Sequence, residues 1–317
     1  MTLVPWDLTE CPPGRHLVVG MIFVLQVIVG ILGNFFVLYY CVFLYHTRFR
    51  FRSTDLILKH LTVANLFVLL FKGFPQTMVI LGWKPFLSDF GCKLVSYGNR
   101  VGRDVSIGTT CLLSVFQVIM ISPRDSRWAE LKGKAPRYVG ISTILCWILH
   151  LMLNILVLFH MTGVKSNTNI TGKKDYGYCH SVNHSNITDS LYIALLLFHD
   201  GFCLGLMIWS SGSMVFLLYK HKQRVQYIRR NNLSPRSYPE ATAMQNILKL
   251  LCTFVCLWTP SCIIHIWLGI VKSPNLWLVN ISTLVSNCFP TVSPYILMSH
   301  DSRVSLVCFP WKGVQNH

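Results

Sequence analysis

Arg100, Arg103 and Asp104 recur at i, i+3 and i+4, so on a helix they share one face. The residues that follow, Val105 to Ile121, are apolar apart from Ser, Thr, Gly and Gln. Charges leading into such a run belong inside a helix bundle, where each needs an opposite charge or a polar partner. A second set stands at Phe198-His199-Asp200, and a lone cation at Lys72. Asp200 is expected to reach Arg103 or Arg100, and Asp104 to reach Lys72 or an arginine. The cations Lys72, Arg100 and Arg103 outnumber the acids Asp104 and Asp200, which leaves one positive charge for an anionic or strongly polar ligand group. Phe, Trp and Leu side chains would then take the ligand's apolar body, and His199 completes the candidate ligand set. The alternative is purely structural: arginines that snorkel outward and acids paired only for stability. Catalytic patterns are absent from the sequence. It contains no phosphate-cradling glycine loop, no His-Glu-x-x-His, no serine nucleophile elbow and no carboxylates paired at helical spacing in one span. The chemistry expected is recognition without an enzyme activity, a cofactor or a resident metal.

The elements that must position these charges are written in the composition. Of 317 residues, 52% are hydrophobic and 13% charged, too apolar a balance for a soluble domain. Seven apolar stretches have spanning length, at residues 17–43, 56–82, 92–122, 138–160, 189–219, 244–271 and 275–298. The expected fold is therefore an all-α membrane protein, a seven-transmembrane bundle. Residues 1–16 would form a short extracellular amino terminus, 17–298 the membrane domain and 299–317 a short cytoplasmic tail. The third stretch carries the charges. From Cys92 to Ser122 a helix runs about 46 Å, longer than the roughly 30 Å hydrocarbon core, so it links the two sides. Most of the 28 Lys and Arg lie between alternate spans, on one side. They include Arg48, Arg50 and Arg52, then Arg124, Arg127, Lys132, Lys134 and Arg137, then Lys220, Lys222, Arg224, Arg229 and Arg230. That side is cytoplasmic by the positive-inside rule, which places the amino terminus outside at the plasma membrane. A net charge of +16 beside membrane spans serves orientation and anionic lipid, so the partner is the bilayer and nucleic acid is not expected.

Twelve cysteines are present, most of them inside spans, where a free thiol behaves as a small apolar residue. Cys11, Cys92 and Cys179 fall on the oxidising side. A Cys92–Cys179 bridge would tie the second outer loop over the bundle, with Cys11 left over. That loop also carries glycosylation sequons at Asn169, Asn183 and Asn186. In the first span, Asn34 is expected to hydrogen-bond a neighbouring helix. Pro75 should disturb the second span, and Pro260, Pro290 and Pro294 the sixth and seventh. Arg124 ends the third span beside Pro123. With Lys220, Lys222 and Arg224 it forms a candidate contact for a cytoplasmic partner.

Several segments resemble the vomeronasal type-1 receptors. They are the run from Cys111 through Ser122-Pro123-Arg124 to Lys132, the Leu218-Tyr-Lys-His221 segment with Leu233-Ser-Pro-Arg, and Leu61-Thr-Val-Ala-Asn65 with Gly73-Phe-Pro-Gln. The seventh-span Phe289-Pro-Thr-Val-Ser-Pro-Tyr295 is similar as well. The resemblance implies a rhodopsin-like, chemosensory G-protein-coupled receptor for small pheromone-like molecules. It also implies a heterotrimeric G protein of the inhibitory type as partner and a small organic ligand. The chain departs from the family pattern at Asp104, at His199 before Asp200, and at Trp258-Thr-Pro260, all around the expected cavity. A bitter taste receptor is the runner-up resemblance, and a small-solute transporter is the reading from a different class.

Overall fold

The computed structural model describes residues 13–47, 53–82, 87–121, 129–162, 174–175, 179–181, 186–231, 239–271 and 276–300. Helices dominate. They are α1 (Pro13–Thr47), α2 (Ser53–Val68), α3 (Phe74–Ile80), α4 (Asp89–Ile121), α5 (Ala129–Leu153), α6 (Val157–His160), α7 (Asn186–Asn231), α8 (Pro239–Ile270) and α9 (Leu276–His300). A π-helical turn, Leu69–Gly73, joins α2 to α3, and a 3₁₀ turn, Asn154–Leu156, joins α5 to α6. Among the described residues, four helical segments are long and apolar enough to cross a bilayer: Val18–Thr47, Ser53–Ile80, Lys132–Leu153 and Leu197–Leu217.

The helices overrun the apolar stretches that predict them, because a helix does not have to stop where the hydrocarbon does. The 46 residues of α7 reach about 69 Å, longer than a roughly 30 Å core, and Lys220, Lys222 and Arg224 follow its apolar segment Leu197–Leu217. Not everything is helical. Three two-residue strands, β1 (Met161–Thr162), β2 (Lys174–Asp175) and β3 (His180–Ser181), pair antiparallel in the order β1-β3-β2. The fold is otherwise helical, as expected of an all-α chain; these short strands pair backbone groups that no helix satisfies. Cys179, immediately before β3, is bonded to Cys92 on α4. The pairing expected from the sequence is therefore present, and it closes a separation of 87 residues.

Pro75 acts through the turn that precedes it. It has no N–H to donate and its ring crowds the preceding turn. The chain responds by widening: Phe74 N–H reaches back to Leu69 O, a π-type bond. The helix continues past Pro136 in α5, Pro260 in α8, and Pro290 and Pro294 in α9.

Packing places α4 at the centre, with its most extensive contact against α2. Close approach depends on a missing side chain. A Cβ at Gly102 would lie 2.6 Å from Phe67 Cβ and 3.0 Å from the Ala64 carbonyl oxygen, so only glycine lets the two backbones come this near. Polar bonds fix the register beneath. Asn65 Nδ2 donates to Ser293 Oγ at 3.0 Å, and Ser106 Oγ donates to Asn65 Oδ1 at 3.0 Å, linking α2, α4 and α9. Asn34 Nδ2 donates to the Pro290 carbonyl at 2.8 Å, the inter-helix bond expected of it. Beside these lies an apolar cluster in which Phe254 stacks on Trp258 at 5.2 Å and meets Phe289 edge-on at 4.5 Å.

The outside of the bundle is apolar too. Leu25 is 64% exposed, Leu32 62%, Phe216 65% and Trp267 60%, and a patch that extensive is stable only against lipid or another apolar surface. Gly102→Ala is expected to lower the thermal unfolding midpoint of the detergent-purified protein, with a cost of about 1–3 kcal/mol from overpacking against backbone. Gly133→Ala is the control, because nothing lies within 4 Å of its added Cβ. Equal midpoints for the two variants would refute the close-contact argument.

Candidate functional site

About 16 Å down α4 from Cys92, Arg103 and Asp104 turn inward, each 3% exposed. Arg103 Nη2 donates to Asp200 Oδ2 at 2.6 Å, joining α4 to α7 as the sequence led us to expect. The same guanidinium lies over the Trp258 ring, 5.2 Å from its centroid. Arg103 is thus held by a carboxylate on one helix and a π face on another. The Cys262 thiol donates to Asp200 Oδ2 at 3.5 Å, so α8 joins the same carboxylate. Arg103 Nε and Nη1 and Trp258 Nε1 are buried without a hydrogen-bond partner among the described residues.

Asp200 is shared. Its Oδ1 stands 3.2 Å from His199 Nδ1; a carboxylate only accepts, so the imidazole donates. His199 Nε2 lies 3.7 Å from Cys203 Sγ, and the His199 ring meets the His150 ring edge-on, with centroids 4.8 Å apart.

Two expectations need correction. Asp104 does not reach Lys72 or an arginine: its Oδ2 accepts from Asn154 Nδ2 at 2.8 Å. The cause is local. Asn154 stands in the 3₁₀ turn, which aims its amide at α4, while Arg103 turns toward α7. Lys72 neither snorkels nor meets an acid among the described residues. It is 7% exposed, with Nζ 3.2 Å from His265 Nε2, 3.1 Å from Ser286 Oγ and 3.5 Å from Ser282 Oγ. The π turn carries Lys72 inward, and α8 and α9 meet its ammonium with neutral acceptors instead of a carboxylate. Arg100 is half-buried, one turn nearer Cys92. The charges therefore fall into two groups, Arg103–Asp200–His199–Asp104 and Lys72–His265–Ser286, with Lys72 in the field of both arginines.

His150, Asn154, Cys262, His265, Ser282 and Ser286 were not singled out from the sequence. His150 and Asn154, polar and four residues apart in an apolar stretch, carried a signal that could have found them. The serines carried none. Arg124, Asn169 and Asn183 lie outside the described residues. Asn186 opens α7, and Lys220, exposed, lies on its distal part with Lys222 and Arg224.

A charged, polar-lined interior inside a helical bundle with a lipid-compatible exterior fits a polytopic membrane protein. The family model described as "Vomeronasal organ pheromone receptor family" matches residues 17–310, and the chain belongs to that family. It is 53% identical to vomeronasal type-1 receptor 4 of Homo sapiens over 298 residues, 94% of this chain and 99% of that protein. It is 42% identical to vomeronasal type-1 receptor 1 of Homo sapiens over 305 residues, 96% of this chain and 86% of that protein. More distantly, it is 28% identical to olfactory receptor class A-like protein 1 of Danio rerio over 292 residues, 91% of this chain and 92% of that protein. It is accordingly a multi-pass membrane protein of a chemosensory receptor family.

Breaking the central ion pair from one side leaves a buried charge alone. Asp200→Ala and Arg103→Ala are each expected to destabilise the purified receptor by about 3 kcal/mol, read as a lowered unfolding midpoint. The double variant is expected to lose clearly less than the sum. Additive losses would mean that the pair contributes no coupling.

Proposed function

We propose that this chain is a seven-span chemosensory G-protein-coupled receptor of the plasma membrane, with its amino terminus outside. Residues 1–16 form its outer segment, 17–298 its membrane domain and 299–317 its cytoplasmic tail. Its ligand is a small pheromone-like molecule taken between α4, α7, α8 and α9. The observation that carries the ligand reading is the set of buried donors left over at the centre: Arg103 Nε, Arg103 Nη1 and Trp258 Nε1. An unpaired buried donor costs about 1–3 kcal/mol, and more when charged, so an acceptor that enters this space gains what the protein leaves unmade. With Lys72 and Arg100 adding positive field, the preferred ligand presents a carboxylate, sulfate or other strongly polar acceptor on an apolar body. Asp200, bonded on its other oxygen by His199, holds the Arg103 guanidinium in place, and Asp104 lies beside them on α4.

Signal transfer follows from position. Trp258 touches both Arg103 and Phe254, and Phe254 touches Phe289, so a ligand that pulls on the guanidinium also loads α8 and α9. Opening of their inner ends would let Arg124, Lys220, Lys222 and Arg224 engage a heterotrimeric G protein. The inhibitory type is the one the family resemblance supports.

Two measurements test this. In cells expressing the receptor with a promiscuous G protein, Arg103→Ala is expected to weaken the calcium response to an acidic ligand at least about tenfold more than to a neutral one. Equal losses would return Arg103 to a structural role. Arg124→Ala, at normal surface level, is expected to lower G-protein activation with ligand affinity retained. Full activation would remove Arg124 from the coupling surface.

A further inference from the structure

Among the described residues, Asp104 Oδ1 is a buried carboxylate oxygen with no hydrogen-bond partner, on a residue only 3% exposed. Buried carboxylates ordinarily have both oxygens bonded. The residue stands in company of a particular kind. One donor atom each from Asp104, His199 and Asp200 lie within 4.8 Å of one another. His150, also 3% exposed, sets a second imidazole edge-on to His199, and its buried Nδ1 likewise has no partner.

We infer that Asp104, His199 and Asp200 form a binding site for a divalent zinc ion, bridging α4 and α7 beside α5. The donor set is imidazole nitrogen and carboxylate oxygen, which zinc accepts at about 2.0–2.2 Å. The 3.2 Å between His199 Nδ1 and Asp200 Oδ1 is the spacing of two donors about 2.0 Å from one tetrahedral ion. In the empty arrangement a proton on Nδ1 fills that gap; in the filled one the ion replaces it, so the proton must leave that nitrogen.

The surroundings are those of a metal site. Asp104 keeps its other oxygen on the Asn154 amide and Asp200 keeps its other oxygen on Arg103. Each carboxylate is thereby aimed by an outer hydrogen bond while one oxygen stays available. Asp104 and Asp200 supply the two negative charges that would face the ion, and the Arg103 guanidinium lies on the other oxygen of Asp200. A fourth position remains for water, for His150 after a ring rotation, or for a donor atom of a ligand. The site goes beyond the signalling reading and stands on its own geometry.

The test uses the full-length receptor purified in detergent with metal stripped by chelator. Titration with zinc chloride is expected to fill one site per chain, with affinity that weakens as pH falls because protons compete for His199. X-ray absorption at the zinc edge is expected to show nitrogen and oxygen neighbours with an imidazole signature. Asp104→Asn and His199→Gln are each expected to weaken binding at least about tenfold. Three results would overturn the site: no stoichiometric zinc on the wild-type receptor, sulfur in the coordination shell, or affinity unchanged in both variants. The absorption spectrum is measured on the wild type and decides even where a variant fails to fold. A receptor that signals but binds no zinc loses this site alone; one that binds zinc but activates no G protein loses the signalling reading alone.

Discussion

A guanidinium does not give up its proton inside a protein, and in a hydrocarbon layer it has nowhere to dissolve. Arg103 therefore dictates where its neighbours go. It needs an acid, and Asp200 of α7 comes to 2.6 Å; it needs its flat face covered, and Trp258 of α8 lies against it. Three helices are positioned by the solvation requirements of one side chain. The polar bonds of Asn65, Ser106 and Ser293 set a further register among α2, α4 and α9, but those residues are small and neutral and could be exchanged for one another. The arginine admits few substitutes.

That constraint explains why much of the architecture was legible in the sequence. Hydrophobic length marks spans and charge marks the interior, so the helices, the Arg103–Asp200 pair and the Cys92–Cys179 bridge could be anticipated. What escaped was settled by direction. Whether Asp104 turns toward Lys72 or Asn154 depends on a 3₁₀ turn, and no residue in Asn154–Leu156 announces one. Lys72 was expected either to snorkel outward or to face the bundle and pair with an acid. It found His265 and two serines, residue types too common for their spacing to carry a signal. The small sheet escaped for a related reason: strands of two residues have no periodicity to read.

The site and the packing make opposite demands on the same helix. On the face toward α2, α4 is smoothed by Gly98 and Gly102 until backbones nearly touch. On the face toward α7 it carries ionised and hydrogen-bonding groups whose valences are partly unfilled. Rigid contact on one side and incomplete bonding on the other give the helix one fixed face and one face with hydrogen-bonding capacity left over.

The π turn at Leu69–Gly73 sets the phase of everything after it. Such a turn holds one residue more than an α-helical turn, and an extra residue rotates the rest of a helix by about 100°. Gln76 and Thr77 face inward because of that offset; both are buried, and Gln76 Nε2 donates to Asn280 Oδ1 at 2.6 Å. Alignments of related chains should therefore tolerate a one-residue gap here better than elsewhere in the span. A homologue one residue shorter at this point would close the turn to a plain α-helix and still bring the same downstream side chains to the same face. The widened turn thus works as a frame-shift in helical phase, and comparing relatives by column number across it would pair residues that do not occupy the same place.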